Sequence, residues 1–148
     1  MTASPHAHPQ PPSLLLDPAT IEPFDRGNGV ATIPYVGKWN SEQNLVTTGQ
    51  TRFQVGCGLE LHSHNVEETV LVLEGLATAQ VGDDLFDLEP GGATWVPAGV
   101  PHRFFNRGAG EMRIYWVYGG RYVTRTMTET GETFEHLSDS DRGGRPNG

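Results

Sequence analysis

Between residues 45 and 120 the chain is a succession of short runs rich in β-branched and aromatic residues, each ended by turn residues. The runs are "LVTTGQTRFQV" (45–55), "ETVLVLEG" (68–75), "ATAQVG" (77–82), "LFDLEPG" (85–91), "ATWVP" (93–97), "HRFFN" (102–106) and "MRIYWVYGG" (112–120). Runs this short, with Gly and Pro between them, leave no room for an amphipathic helix. Many short antiparallel strands at this spacing predict an all-β sandwich or barrel. "VGDDLF" reads as a tight hairpin connection and "NRGAGE" as another. The composition agrees: 19 Gly and 11 Pro with only 36% apolar residues suit a fold of many turns.

A length of 148 residues supports one domain with tails. Residues 1–13 are polar and Pro-rich and are expected to be disordered. Their own pair of histidines, His6 and His8, has no acidic partner and no strand to hold it. Residues 14–44 read as a strap of short strands, because the prolines at 18, 23 and 34 break any long helix. The barrel is expected over 45–128, and residues 129–148 are expected to form a flexible tail in which His136 is solvated.

The formal charge of −8 argues against nucleic acid and anionic membrane surfaces, which call for clustered Lys and Arg. The single cysteine, Cys57, allows no internal disulfide. No apolar run is long enough to span a membrane, and the first residues lack the basic region of a secretory signal. A cytoplasmic protein is the expectation.

Chemistry concentrates in "GCGLELHSHNVEETVLVLEG" (56–75). In a strand, side chains at i and i+2 share a face, so His62 and His64 point the same way. Glu68 lies just past a turn, on the face of Val70 and Val72. Two imidazoles and a carboxylate provide three metal donors, and a fourth from a neighbouring strand would complete a site with open positions. Two histidines so spaced in a β protein are also often two partly exposed residues with no shared task, and the spacing alone leaves both readings open.

A longer pattern bears on that choice. Gly56, five residues, His62-Ser63-His64, three residues, Glu68, six residues and Gly75 form one motif; Gly91, five residues, Pro97-Ala98-Gly99, two residues, His102, three residues and Asn106 form a second. Both reproduce the motifs of the cupins, and over roughly 45–120 the chain resembles a compact single-domain bacterial cupin, a double-stranded β-helical (jelly-roll) barrel. The resemblance implies that His62, His64, Glu68 and His102 are the protein ligands of one divalent transition metal ion (Fe, Mn, Ni or Zn).

The resemblance further implies a metal-dependent enzyme acting on a small oxygenated molecule, with dioxygenase-type oxidation first. A metal-assisted isomerase, decarboxylase or lyase and a non-catalytic small-molecule-binding barrel are the alternatives. It also implies a homodimer. Arg52, Gln54, Phe104, Trp116 and Tyr118 are the candidate substrate-binding residues, although parity alone leaves open which face of the last strand lines the pocket.

Overall fold

The computed structural model describes residues 13–141. The expectations for His6, His8 and the last seven residues therefore lie outside the described part. A 3-10 turn, Pro18–Thr20, is started by Asp17, whose carboxylate accepts from the Ala19 N–H at 2.9 Å. The remaining elements are strands. They are β1 (Phe24–Gly27), β2 (Val30–Pro34), β3 (Thr47–Phe53), β4 (His62–His64), β5 (Glu68–Glu74) and β6 (Ala77–Val81), then β7 (Asp84–Leu88), β8 (Ala93–Val96), β9 (His102–Asn106), β10 (Met112–Tyr118), β11 (Thr124–Met127) and β12 (Thr133–Glu135). No helix among the described residues is long and apolar enough to cross a membrane.

Two antiparallel six-stranded sheets form, ordered β1-β2-β3-β10-β5-β8 and β12-β11-β4-β9-β6-β7. The all-β jelly roll expected from the strand pattern is the fold observed. Alternation decides what lies between the sheets. On β10 every second residue is buried, so Met112, Ile114, Trp116 and Tyr118 face inward and Arg113, Tyr115 and Val117 do not. Val70 and Val72 from β5, Phe53 from β3, and Ala77, Ala79 and Phe104 from the other sheet meet them in one apolar cluster. Each large side chain so buried contributes about 1.5–3 kcal/mol.

Two connections read as hairpins behave differently. "VGDDLF" is one: Val81 pairs with Asp84 around the Gly82-Asp83 turn. "NRGAGE" is not, because β9 pairs with β4 and β6 while β10 pairs with β3 and β5 in the other sheet. Gly and Asn mark a reversal in both segments, but only strand pairing distinguishes a hairpin from a crossing between sheets. Asn106 organises that crossing. Its amide donates to Phe53 O at 3.0 Å and Gly110 O at 2.8 Å, and its carbonyl accepts from the Gly108 N–H at 2.9 Å.

The segment expected to be a flexible tail carries β12, which pairs with β11, and beyond it His136 and Asp141 are buried at 7% and 1% exposure. His136 is thus not solvated. An isolated histidine in a polar stretch gives no sign that the chain will fold back across the barrel.

Gly75 ends β5 where the chain leaves its sheet. Its φ is +83°, and a Cβ there would stand 2.6 Å from Glu111 O and 2.9 Å from Met112 Cα. Both contacts are to backbone, which cannot swing aside. Gly75→Ala is expected to cost more than ~2 kcal/mol through left-handed strain and the clash together. Denaturant unfolding measures it, and a loss below about 0.5 kcal/mol, typical of a neutral surface change, would contradict the assignment.

Candidate metal centre

The site is assembled across both sheets. His62 and His64 come from β4, and His102 on β9 pairs directly with His62. Glu68 opens β5 in the facing sheet, between Val96 of β8 and Tyr118 of β10. The Pro97–Gly99 turn leads into β9, with Gly99 at φ +81°, and the Gly99 N–H donates to His64 O at 2.8 Å. This bond ties the approach to the third histidine to the strand bearing the first two.

All four side chains are buried, none exceeding 5% exposure. One ring nitrogen from each of His62, His64 and His102 lies within 4.8 Å of the others. Glu68 adds its oxygens, Oε1 at 3.0 Å from His102 Nε2 and Oε2 at 3.8 Å from His64 Nε2.

The outer side of each ring is held by the backbone. Nδ1 of His62 meets Glu60 O at 2.7 Å, Nδ1 of His64 meets Thr124 O at 2.9 Å, and Nδ1 of His102 meets Val100 O at 2.9 Å. A carbonyl only accepts, so each Nδ1 carries the proton and each neutral ring presents the Nε2 lone pair inward. The buried Nε2 atoms of His64 and His102 make no well-aligned hydrogen bond. Burying such atoms without a partner costs free energy, and a cation among them and the carboxylate removes the cost. The donor set therefore fits a divalent transition metal.

The electrostatics agree. Burial, aided by Arg125 and the neighbouring histidines, holds His62 well below the usual histidine range. Burial likewise pushes His64 down to about 4, against the opposing pull of Glu68. His102 differs: burial lowers it, but the Glu68 carboxylate beside it prevails and raises it. Burial pushes Glu68 up, yet the contacts with His102 and His64 outweigh it and keep the carboxylate ionised. Tyr118, buried beside Glu68, is raised well above the usual phenol range and stays a neutral donor.

These shifts give a pH dependence for metal-free protein. His62, His64 and His136 are held below 6.5, so the unfolded chain takes up protons first as pH falls. Their contribution is complete above about 6.5 and declines as pH falls through their folded values, His64, at about 4, alone accounting for on the order of 3 kcal/mol. The lowered Glu68 adds stability above its ordinary 4.5 that is lost below it. The raised His102 acts oppositely, stabilising below 6.5 and losing that contribution as pH climbs through its folded value. Three lowered histidines outweigh one raised. The thermal midpoint of chelator-treated protein is expected to fall steadily from pH 7 to 4.5, and a flat profile by calorimetry would contradict the burial of neutral imidazoles.

The cavity beside the four residues has a volume of about 30 Å³. Of the candidate substrate-binding residues, Phe104, Trp116 and Tyr118 line it. Arg52 and Gln54 do not: they border a surface hollow with Asn28 and Glu111. The opposite parity of β3 faces the cavity, through Thr51 and Phe53. Arg26, Arg125 and His136, which sequence reasoning missed, also line it. Arg125 pairs in register with His64. That pairing brings together residues 61 positions apart, and neither motif announces it.

The family model of the cupin domain matches residues 49–118. No curated protein sequence matches the chain significantly. Among solved structures, a cupin-superfamily sugar phosphate isomerase from Silicibacter pomeroyi is similar at TM-score 0.65 and 17% identity, covering 88% of this chain and 100% of that one. A mutant of the oxalate decarboxylase of Bacillus subtilis is similar at TM-score 0.68 and 17% identity, covering 75% of this chain and 31% of that one. The salicylate 1,2-dioxygenase of Pseudoaminobacter salicylatoxidans is similar at TM-score 0.57 and 18% identity, covering 63% and 25%. Identities this low speak for the fold, and the three names span three reaction types.

Proposed function

The chain is a cupin, and we propose that it is a metal-dependent enzyme of the dioxygenase type acting on a small oxygenated organic molecule. The observation that carries this reading is the set of three histidines, each with Nδ1 bound to a backbone carbonyl, around the buried Glu68. His62, His64, His102 and Glu68 would hold one Fe, Mn, Ni or Zn ion. Bound there, such an ion supplies Lewis-acid polarisation or, if redox-active, electrons for dioxygen.

The chain's own residues do the rest. Phe53, Phe104, Ile114 and Trp116 give the cavity an apolar wall. Tyr118, kept neutral, offers a proton-bearing hydroxyl beside Glu68 to an oxygen of the substrate. The carbonyls of Glu60, Thr124 and Val100 fix each imidazole in one tautomer, so the donor set is ready before a metal arrives.

The test is oxygen uptake by iron-loaded protein over panels of phenols, diketones and hydroxy acids. Substrate loss matched by oxygen consumption is expected. Turnover undiminished under argon would replace this reading with the isomerase, decarboxylase or lyase alternative, and binding without turnover would favour the non-catalytic barrel.

We also propose a homodimer, supported by the exposed Leu71, Leu73 and Trp95, which share the outer face of β5 and β8. Light scattering giving a monomeric mass would refute it.

A further inference from the structure

Two arginines lie deep in the wall of the cavity. Arg26 of β1 is 4% exposed and Arg125 of β11 is 1% exposed, and both line the space that the histidines border. Arg26 donates to Thr32 Oγ1 at 2.9 Å, and Arg125 Nη2 lies 3.4 Å from the Nδ1 of His62. Both guanidiniums converge on Asp141, whose Oδ1 is 3.5 Å from Arg26 Nη1 and 3.4 Å from Arg125 Nη1. Arg26 also donates to the Asp141 backbone carbonyl at 2.9 Å. Burying two guanidiniums beside one another is costly unless anionic oxygens meet them, and planar guanidinium forks match a carboxylate in geometry.

Asp141 is delivered by a short hook at the end of the described chain. The His136 N–H donates to Val123 O, the Ser138 N–H to Glu135 O, the Asp141 N–H to Ser138 O, and the Leu137 N–H to Asp141 Oδ2. Two of these four bonds, Asp141 N–H to Ser138 O and Leu137 N–H to Asp141 Oδ2, lie within residues 136–141 and are kept if the segment lifts as a unit. Leu137 sits at φ +63°, a left-handed conformation that costs a β-carbon residue free energy and weakens the closed form. His136 is wedged edge-on against Trp116 and Tyr118, and its buried Nδ1 has no hydrogen-bond partner. With residues 136–141 in place the cavity between the histidines and the arginines is small, about 30 Å³.

From this arrangement we propose that Arg26 and Arg125 form the binding site for a carboxylate group of the substrate, that Asp141 fills this site in the closed state, and that residues 136–141 lift as the substrate carboxylate takes its place. The proposal deepens the reading of the site by naming the substrate class, a small carboxylic acid with an apolar body. It rests on that reading only for what the other end of the substrate meets. Exchange of one carboxylate for another leaves the net charge around the arginine pair unchanged.

The probe is benzoate, with neutral benzamide as its control. Binding is followed by Trp fluorescence and calorimetry on chelator-treated and metal-loaded protein alike. Asp141→Asn is expected to bind benzoate at least tenfold more tightly than wild type and benzamide no more tightly, and adding Arg125→Gln is expected to abolish the gain. An unchanged benzoate affinity in Asp141→Asn, an equal gain for benzamide, or a gain that survives Arg125→Gln each overturns the proposal.

Removing one member of a buried ion cluster can unfold a small domain, so a second measurement uses wild type. Saturating benzoate is expected to speed amide exchange at Leu137 and His136 as the hook lifts. Unchanged or slowed exchange there overturns the proposal. A metal-free result that matches the metal-loaded one leaves the arginine site standing even if the reading of the metal centre fails.

Discussion

Replacing His64 by Ala is expected to abolish stoichiometric metal binding while leaving the barrel folded. Its Nε2 is one of the inward lone pairs, and no other described histidine is placed to substitute: His136, the nearest outside the trio, has its ring centre 6.2 Å away and perpendicular. Loss of affinity should exceed the roughly 10–100-fold cost of altering only a ligand's hydrogen-bond partner. Folding should survive because the imidazole contributes no strand pairing and its removal relieves a buried, strongly depressed base. His136→Ala is the control and should retain metal. Full metal occupancy in His64→Ala, measured by elemental analysis after dialysis, would contradict the donor set.

Asn106→Ala should do the reverse, sparing the metal and costing stability. The side chain is 1% exposed and satisfies two carbonyls and one amide at the crossing between sheets. Alanine leaves Phe53 O and Gly110 O without those donors and Gly108 N without its acceptor. The expected loss is about 2–4 kcal/mol, or about 10 °C in thermal midpoint for a domain of this size. Asn106→Asp should not rescue it, since a carboxylate cannot donate to either carbonyl. A change within about 0.5 kcal/mol would mean that the crossing is held by something else.

These variants also show where sequence was informative. Strand positions from β3 to β10 could be read because alternation of apolar and polar residues is a local signal, and their ends fell at Gly, Pro and Asn. His62, His64, Glu68 and His102 could be picked out because two spaced motifs carried them, and the structure brings all four together. Arg52 and Gln54 share one face of their run and Phe53 lies on the other, and alternation alone does not say which face turns inward; the paired and buried β3 shows that Phe53 takes the inward place. The crossing after β9 looked like a hairpin for the same reason: partners remote in sequence decide it.

The least legible part was the segment 136–141, which packs against the barrel. His136 and Asp141 lie in a polar, Gly-containing stretch whose composition argues for solvent exposure. What buries them is a set of partners far along the chain, Arg26, Arg125, Trp116 and Tyr118, none of which flags the segment locally.

The measurement closest to the central claim is elemental analysis of the protein purified with neither added metal nor chelator. Four buried donors with inward lone pairs predict about one transition metal ion per chain. Protein that carries none, and that takes up none of Fe, Mn, Ni or Zn on loading, would contradict the claim that these residues form a metal centre.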